Sequence, residues 1–370
     1  MKKLISLLIA AATIAACTQK EPHYNITGKI AGADSVTFIL QKREAGKNVK
    51  LDSAMVVNGE FKIKGGKVDY PQMVILLAKD RRKGMPSFFL ENSDITITGH
   101  LDSLYNLKVT GSKTQDEVNT LNALTKTIDE NYSTASIEFS DAKKAGDAAK
   151  MAEAQKKKDG LEKESTTIQK DFVKNNPASY YAPSVLSGLK YYLEADEIES
   201  LINAMDTNVA KIQTITDLKA HIAVMKTVAK GQKAPDFTMY DVNDKPVSLS
   251  SKIGQKLLLV DFWAAWCGPC RQENPNVVKV YQTFHKKGFD ILGVSLDRKK
   301  EEWLKAIADD KLTWTHVSDL QYWDNAASKL YAVRGIPANY LLDEKGIIIA
   351  RNVFGEELYN KVKEIVEAKK

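Results

Sequence analysis

Cysteine is scarce in this chain of 370 residues, which contains only Cys17, Cys267 and Cys270. An exported protein held together by disulfides usually carries several pairs scattered along its length, so a disulfide scaffold is excluded. Histidine is also scarce, with five residues and no His-x-x-x-His spacing, and no second cysteine pair could complete a zinc site. No metal site is therefore expected, and one local cysteine pair remains to be explained.

A strong excess of charge is absent as well. The net charge of +6 is small for this length, and no basic run alternates with aromatic residues, so nucleic acid is not an expected partner. With 44% hydrophobic residues, 20 glycines and 10 prolines, the composition excludes collagen-like and wholly disordered chains. It fits a globular protein of two or three domains.

Long apolar runs are missing, since no stretch stays apolar over the roughly 20 residues that a membrane-spanning helix needs. The apolar stretch at 4–16 follows Lys2 and Lys3 and is too short to span a bilayer, which predicts a signal peptide over residues 1–16. Its end, Ile-Ala-Ala-Cys at 14–17, resembles the lipobox of bacterial lipoproteins.

The lipobox resemblance implies that Cys17 is acylated and that residues 17–23 form a lipidated tether. The body of the protein would then lie in the cell envelope, facing the periplasm or the surface. Two or more acyl chains would hold it stably on a membrane, which one chain alone does not. The alternative is an ordinary cleavage site with an incidental cysteine.

Three segments that differ in composition and hydrophobic pattern follow the predicted tether. Residues 24–112 carry short alternating runs separated by polar breaks, which predicts an antiparallel β-rich domain, a small sandwich or barrel, with a hairpin at Asn58-Gly59. Residues 113–228 are rich in Ala, Lys, Glu and Leu, which predicts a helical region. A Pro- and Gly-containing boundary then opens a third domain over residues 229–370.

The third domain alternates strands and helices, so its expected fold class is α/β. A continuous apolar strand is predicted at 257–262, a helix at 267–285 and a second strand at 289–296. Further helices and strands follow to the end of the chain. Continuous apolar strands between helices indicate a sheet that is covered on both faces.

Cys267 and Cys270 stand between the predicted strand and the first predicted helix of this domain. Two intervening residues let both sulfurs reach bonding distance. Unpaired N–H groups and the helix dipole favour an anion at the helix start, so we expect a lowered pKa at Cys267 and attack on disulfides by its thiolate. Cys270, one turn further, is placed to resolve the mixed disulfide. Half of a zinc site and a structural disulfide are the alternatives, but the first lacks two ligands and the second would close only a minimal loop.

The segment at 260–270, Val-Asp-Phe-Trp-Ala-Ala-Trp-Cys-Gly-Pro-Cys, resembles the active-site block of thioredoxins almost residue for residue. Arg-Gly-Ile-Pro at 334–337 similarly resembles the loop that carries the thioredoxin cis-proline. Ala-Pro-Asp-Phe at 234–237 and Cys-Arg-Gln-Glu at 270–273 resemble the TlpA/ResA-type thiol–disulfide oxidoreductases, a family that includes lipoproteins with an N-terminal β-rich domain of unknown function. The resemblance is close over residues 231–370 and only architectural before them.

The resemblance implies a C-terminal thioredoxin-like fold and an extracytoplasmic enzyme with no cofactor beyond its redox-active disulfide. Protein disulfides would be the substrates, and a transmembrane donor would supply the electrons. Gly268 and Pro269 are the pair found between the cysteines of strongly reducing thioredoxins, so a reductant is favoured. The sequence does not distinguish between two classes of substrate, misoxidised proteins and cytochrome c apoproteins. A cis peptide bond is implied before Pro337, and contact with substrate is implied for Trp266, Gly268, Pro269, Ile336 and Pro337.

Two carboxylic acids are candidates for accepting the proton of Cys270. Asp261 lies in the middle of an apolar strand, where burial of an unpaired charge is costly, so we expect a raised pKa and a proton-accepting role. The resemblance implies Glu273, three positions beyond Cys270 on the same helical face. Thioredoxins have Asp at the first position and the TlpA/ResA type more often has Asn, so the choice between the two acids is open.

Other functions share part of this pattern. A peroxiredoxin would also have the Ala-Pro-Asp-Phe sequence, but it needs Pro-x-x-x-Thr-x-x-Cys, which the residues before Cys267 do not match. A ligand-binding surface lipoprotein with a relict thioredoxin-like domain is the non-enzymatic alternative. The intact cysteine pair and the intact Ile336-Pro337 favour an enzyme, a thiol–disulfide oxidoreductase.

Overall fold

The computed structural model describes residues 23–44, 46–79 and 86–368. The predicted signal peptide, Cys17 and the tether up to residue 22 lie outside these residues. Among the helices of the described part, none combines the length and the apolar character that crossing a membrane requires. Within the same residues, no group of three or more His, Cys, Asp or Glu side chains is placed to hold a metal ion.

The chain folds into two compact units. The first consists of the residues up to Ser165 together with Ser179–Tyr181, and the second of Thr166–Ala178 together with Ala182–Lys370. The predicted β-rich domain falls in the first unit and the predicted α/β domain in the second. The predicted helical region is confirmed as helical, but it is not a unit of its own because its residues are divided between the two.

The β-rich part of the first unit is a sandwich of two sheets. Phe38 of one sheet stacks on Phe61 of the other, with ring centroids 5.1 Å apart, inside a shared hydrophobic core. The described strands of the sheet with the order β4-β1-β7-β8 are β1 (Tyr24–Ala31), β4 (Glu60–Gly65), β7 (Asp94–His100) and β8 (Lys108–Thr110). Those of the sheet with the order β3-β2-β5-β6 are β2 (Thr37–Glu44), β3 (Lys47–Met55), β5 (Gln72–Ala78) and β6 (Ser87–Leu90). The β-rich domain that alternation predicted is confirmed.

One pairing in this sandwich differs from the antiparallel arrangement that was expected. β1 runs parallel to β7, in register from Asn25↔Asp94 to Ala31↔His100, whereas the other pairings in its described part are antiparallel. Alternation of apolar and polar residues shows which face of a strand is buried. It carries no information on the direction of the neighbouring strand, and the expectation was wrong at this point for that reason.

The predicted hairpin at Asn58-Gly59 is present. Both residues have positive φ, 53° and 75°, as a type I′ turn requires, and Asn and Gly are the residues that adopt these angles at least cost. Val57 and Glu60 on either side exchange two backbone hydrogen bonds of 2.9 and 3.1 Å. Because β3 and β4 belong to different sheets, this turn carries the chain from one sheet to the other.

Two long helices follow the sandwich, α1 (Lys113–Ala145) and α2 (Ala148–Asn175). Ser112 caps α1, and its Oγ accepts a hydrogen bond from the N–H of Gln115 at 3.1 Å. The helix ends at Gly146, whose φ of 69° lets the last turn close.

The shorter helices of the helical region belong to the second unit. Val228, directly after them, is fully buried in the hydrophobic core that also contains Leu257, and Glu194 pairs with Arg351 at 2.5 Å. Helical periodicity predicts an apolar face but not the element that covers it, so the sequence could not assign these helices to a neighbour. They are α3 (Ala182–Leu189), α4 (Ala195–Asn203) and α5 (Gln213–Thr227).

The second unit is centred on a mixed sheet with the order β10-β9-β13-β12-β11-β14-β15. Its strands are β9 (Thr238–Asp241), β10 (Pro246–Ser248), β11 (Leu257–Trp263), β12 (Phe289–Ser295), β13 (Thr315–Ser318), β14 (Ala338–Asp343) and β15 (Ile348–Arg351). β11 runs parallel to β12 on one side and antiparallel to β14 on the other. Every residue of β11 is buried, as its continuous apolar run predicts.

Helices α6 (Gly268–Phe284), α7 (Lys300–Asp310), α8 (Ala326–Leu330) and α9 (Gly355–Glu367) complete the second unit. The predicted α/β domain is confirmed, and its longer elements lie within a few residues of their expected positions. The short strands β9, β10 and β13 were not predicted. Helix α6 follows β11 closely, so the start of α6 lies at the carboxyl end of the central strand.

Candidate active site

The two cysteines lie where the chain leaves β11 and enters α6. Cys267 is the N-cap of α6 and Cys270 lies in its first turn. The Sγ of Cys267 accepts a hydrogen bond from the N–H of Cys270 at 3.1 Å, one of the N–H groups that a helix start leaves without a partner inside the helix. The two sulfurs form a disulfide, with the Cα atoms 5.3 Å apart. The helix start therefore favours negative charge on the sulfur of Cys267.

The two cysteines differ in their access to solvent. Cys267 is 4% exposed and Cys270 is 1% exposed, while Gly268 and Pro269 between them are exposed. Both cysteines are buried, and Cys267 is the slightly more exposed residue of the two. This is the order that an attacking and a resolving cysteine require, although the roles themselves stay predictions.

The loop before β14 meets the disulfide from another part of the chain. The peptide bond between Ile336 and Pro337 is cis, and both residues are half-buried. The Sγ of Cys267 lies 3.6 Å from the carbonyl oxygen of Ile336, 69 positions further along the chain. The structure therefore brings together the two segments that the sequence singled out.

Trp266 forms an exposed aromatic surface beside the disulfide. It is 43% exposed, its Nε1 donates to the carbonyl oxygen of Leu296 at 3.3 Å, and its ring lies 5.0 Å from that of Tyr322 and 6.0 Å from that of Trp323. Trp263, in contrast, is buried in the core. Trp266, Gly268 and Pro269 are exposed and Ile336 and Pro337 are half-buried, and the contact of these residues with substrate stays a prediction.

Asp261 is a buried acid on the central strand. It lies on β11 opposite Gly293 of β12 and Asn339 of β14, and it is 6% exposed. Burial, and after it the negative charge of Glu273, raise the pKa of Asp261 to about 7. A carboxyl that titrates near neutral pH can both accept and return a proton under ordinary conditions.

Glu273 occupies a different position. It is half-buried on α6, and its Oε1 accepts hydrogen bonds from the N–H of Gly355 at 2.7 Å and from the side-chain amide of Asn276 at 2.8 Å. Gly355 is the first residue of α9, so the carboxylate stabilises the start of that helix. The structure therefore distinguishes the two candidate acids, since Asp261 is the buried one and Glu273 is engaged by α9 and acts on Asp261 through its charge.

The sequence analysis missed a further buried carboxylate beside the motif. Asp297 is fully buried, lies two residues beyond β12, and accepts hydrogen bonds from the N–H of Ala265 at 3.0 and 3.1 Å. The signal that could have found it is its place at the carboxyl end of a buried strand next to β11. Functional side chains of open α/β sheets gather at that end.

A central strand that leads into Cys-Gly-Pro-Cys at a helix start, with a cis-proline loop against the sulfur, defines a thioredoxin-like protein. Family models match both units. The one described as a domain of unknown function (DUF4369) matches residues 24–118, and the one described as the AhpC/TSA family matches residues 230–351.

Curated relatives match the C-terminal part of the chain. The thioredoxin-like protein YneN of Bacillus subtilis (strain 168) is 36% identical over 124 residues, which cover 33% of this chain and 69% of that protein. The thiol-disulfide oxidoreductase ResA of Geobacillus thermodenitrificans (strain NG80-2) is 32% identical over 119 residues, which cover 32% of this chain and 66% of that protein. A solved thioredoxin domain of a thiol-disulfide oxidoreductase from Bacteroides vulgatus is 41% identical, covers 38% of this chain and 99% of that chain, and has a TM-score of 0.36.

The chain belongs to the thioredoxin-like thiol–disulfide oxidoreductases, and it is an enzyme of that class. Membership rests on the identity shared with the curated relatives, of which the chain spans about two thirds of the length. The Cys267–Cys270 disulfide is the redox centre that the class requires.

Proposed function

We propose that the protein reduces disulfide bonds of protein substrates outside the cytoplasm and is held on a membrane by a lipid on Cys17. The observation that carries the proposal is the position of Cys267. Cys267 is the more exposed residue of the pair, and its sulfur stands at the start of α6 and lies 3.6 Å from the carbonyl oxygen of Ile336 in the cis-proline loop. The more exposed cysteine at a helix start is the one that a protein substrate can reach as a thiolate.

The reduced enzyme begins the reaction. The Cys267 thiolate, stabilised by the helix start and by the N–H of Cys270, attacks one sulfur of the substrate disulfide. A bond forms between that sulfur and Cys267, the substrate S–S bond breaks, and the second substrate sulfur leaves as a thiolate. The product of this step is a mixed disulfide.

Cys270 resolves the mixed disulfide. It gives its proton to the Asp261 carboxylate and attacks the Sγ of Cys267, which forms the internal disulfide and releases the first substrate sulfur as a thiolate. Asp261, with a pKa raised to about 7, then returns the proton to the solvent. The substrate gains two electrons, and its two thiolates take protons from the solvent according to pH. A transmembrane donor must return two electrons to the Cys267–Cys270 disulfide before the next cycle.

Two parts of the proposal are inferred from the sequence: that the enzyme reduces disulfides rather than forming them, and that it lies in the cell envelope. Gly268 and Pro269 resemble the pair of reducing thioredoxins, which supports a reductant, and Ile-Ala-Ala-Cys at 14–17 resembles a lipobox, which supports a lipoprotein of the cell envelope. The class of enzyme, which the curated relatives share, supports protein disulfides as substrates.

Trapping of the mixed disulfide tests the proposed mechanism. Reduced Cys270→Ser should form a stable adduct with insulin, visible on a non-reducing gel and released by dithiothreitol, because the resolving thiol is gone. Cys267→Ser is the matched control and should form no adduct and retain no insulin reductase activity. Adducts formed through Cys270 in the control variant would reverse the assignment of the two cysteines.

A further inference from the structure

The backbone of Ala265, two residues before Cys267, is held at both its N–H and its carbonyl oxygen. Its N–H donates to the two carboxylate oxygens of Asp297 at 3.0 and 3.1 Å. Its carbonyl oxygen accepts a hydrogen bond from Nη1 of Arg271 at 3.3 Å. The segment between β11 and α6 therefore has a fixed point directly before the attacking cysteine.

The carboxylate of Asp297 is itself fixed in a fully buried position. The hydroxyl of Ser295 donates to its Oδ2 at 2.8 Å, and the N–H of Asp297 donates back to the Ser295 Oγ at 3.1 Å. Burial raises the pKa of Asp297 in spite of the hydrogen bonds from Ala265 and Ser295. Burial of an ionised carboxylate costs free energy of folding, and the hydrogen bond from the Ala265 N–H gives a reason for the presence of Asp297 at this position.

The guanidinium of Arg271 is fixed from a different element. Its Nε and Nη2 both donate to the carboxylate of Asp310 at the end of α7, the second bond measuring 2.7 Å. The side-chain amide of Asn274 donates to the same carboxylate at 2.6 Å. A bidentate pair of this kind sets direction as well as distance. Asp310 also neutralises the charge of Arg271. The guanidinium therefore affects the Ala265 carbonyl through its hydrogen bond rather than through a net charge.

We propose that Asp297 and Arg271 are positioning residues, which hold the two successive peptide groups on either side of the Ala265 Cα so that Cys267 stays in line with the start of α6. We call this set, with Asp310, the Ala265 clamp. Backbone hydrogen bonds link the clamp to the sulfur's own residue, since the Cys267 N–H donates to the Ala264 carbonyl at 3.1 Å. The N–H of Arg271 in turn donates to the carbonyl of Cys267 at 3.0 Å. The inference rests on the proposed role of Cys267 as the attacking sulfur.

The Ala265 clamp should affect the rate at which the Cys267 thiolate attacks a disulfide. A reacting atom that is misplaced by about 1 Å can cost up to a hundredfold in rate, because orientation is part of the barrier. The loop at 264–266 is short, and the clamp restricts the conformations it could otherwise take. Loss of the clamp should therefore slow the attack of the thiolate even where the thiol is fully ionised.

The test compares variants of the reduced, full-length protein with dithionitrobenzoate as the disulfide probe, at a pH above the Cys267 pKa. Asp297→Ala should lower the rate constant of attack about tenfold or more. Asp297→Asn should recover most of it, because the amide keeps an oxygen for the Ala265 N–H. Asp309→Asn is the matched control: Asp309 is a half-exposed neighbour of Asp310, 3.9 Å from Arg271, and its variant should stay within about twofold of the parent protein.

Hydrogen exchange separates positioning from general stability. In Asp297→Ala the amides of Ala265 and Cys267 should exchange at least about tenfold faster, whereas that of Val280 in the middle of α6 should not change. Faster exchange throughout α6, or an unchanged rate of attack whatever the exchange at Ala265, would overturn the inference. If Asp297→Ala does not fold, Arg271→Gln tests the same clamp from the carbonyl side and should slow the attack several-fold. Arg271→Lys should not restore the rate, because an ammonium cannot form the bidentate pair with Asp310 that fixes the guanidinium. An unchanged rate in Arg271→Gln overturns the inference.

The experiments distinguish failure of the proposed function from failure of the Ala265 clamp. If Cys270→Ser forms no adduct through Cys267 but the exchange of Ala265 responds to Asp297→Ala, the proposed function fails; Asp297 then holds the Ala265 backbone, but its positioning role in the attack is refuted with the attack itself. If the adduct forms but the rate of attack is the same in Asp297→Ala as in the parent protein, the clamp fails and the proposed function stands.

Discussion

Two acids, Asp261 on β11 and Glu273 on α6, have different roles in the proton transfer that we propose. Asp261 is buried on the central strand, and its pKa is raised to about 7 by burial and by the charge of Glu273. Glu273 has its Oε1 engaged by the N–H of Gly355 and by Asn276. We infer that Asp261 accepts the proton of Cys270 and that Glu273 sets the pH at which it does so.

The pH profile of the resolving step tests this division. Asp261 accepts a proton only when ionised, so the rate should rise with pH through about 7. Asp261→Asn should lower the rate about a hundredfold and remove that rise, since general base catalysis is lost. Glu273→Gln keeps an acceptor for the Gly355 N–H but removes the charge, so the rise should move to lower pH. Stopped-flow measurement of mixed-disulfide resolution gives the profile.

The control for this prediction is Glu356→Gln, which removes an exposed acid from the first turn of α9 and should leave the profile unchanged. A profile that keeps its rise near pH 7 in Asp261→Asn would contradict the assignment of Asp261. A profile that Glu273→Gln does not move would leave Glu273 a structural residue only.

Residues of the site differ in how far the sequence could predict them. The cysteines and Asp261 lie within one short segment, where spacing and burial are both visible in the sequence. Asp297 could not be predicted in the same way, because its contact with Ala265 joins positions 32 apart and follows no periodicity. The contact of Arg271 with Asp310 likewise joins two elements whose neighbourhood only the folded chain creates.

Among the elements, β11 and β12 were predicted because continuous apolar runs leave few alternatives, whereas β13 was missed. β13 is four residues long and polar, yet its His316 is 3% exposed and its ring packs near those of Trp263 and Trp314. Burial lowers the pKa of His316 to about 3, so the ring is neutral in the core. A Cβ at Gly293 on β12 would lie 2.3 Å from its Nδ1, so a glycine there makes room for it. The sequence does not show that the His316 ring packs against Gly293, because the two residues lie on different strands.

Helices α3, α4 and α5 belong with the thioredoxin-like fold, and this changes what a truncated protein should do. A fragment of residues 229–370 contains the redox centre and should keep its redox potential. It lacks Val228, which is fully buried in the same core, and the Glu194 partner of Arg351. We therefore expect it to be less stable than a fragment of residues 182–370, by about 2 kcal/mol or more.

Urea unfolding followed by tryptophan fluorescence measures this difference. All five tryptophans lie between positions 263 and 323, so the signal reports the second unit alone. The control is Glu194→Gln in the longer fragment, which should cost less than about 1 kcal/mol because Glu194 is largely exposed. Equal stability of the two fragments would show that α3–α5 add nothing to the unit, and a folded 229–370 without insulin reductase activity would show that they complete the active site.

At the scale of the whole molecule, the redox chemistry lies in one unit and the proposed anchor at the other end of the chain. The sequence has no cysteine between Cys17 and Cys267, so thiol chemistry upstream of the second unit is limited to the residue that we propose to be lipidated. We propose that the first unit serves placement or choice of partner.

Removal of the acylated residue tests the proposed location. Cys17→Ala should release the protein from the membrane fraction, because the acyl chains supply the apolar transfer energy of binding. Its redox potential should equal that of the parent protein, since both share the same second unit. Fractionation after a high-salt wash gives the result, and retention of the variant on membranes would indicate another anchor.

The redox potential of the Cys267–Cys270 couple tests the central claim most directly. The full-length protein is equilibrated with defined dithiothreitol buffers, and the fraction reduced is followed by the fluorescence of the tryptophans beside the disulfide. A reductant with Gly268 and Pro269 between its cysteines should have a potential near that of thioredoxin, about −270 mV. A potential near about −120 mV, the range of the strong oxidant DsbA, would show that the protein donates disulfides, and it would contradict the claim that it reduces them.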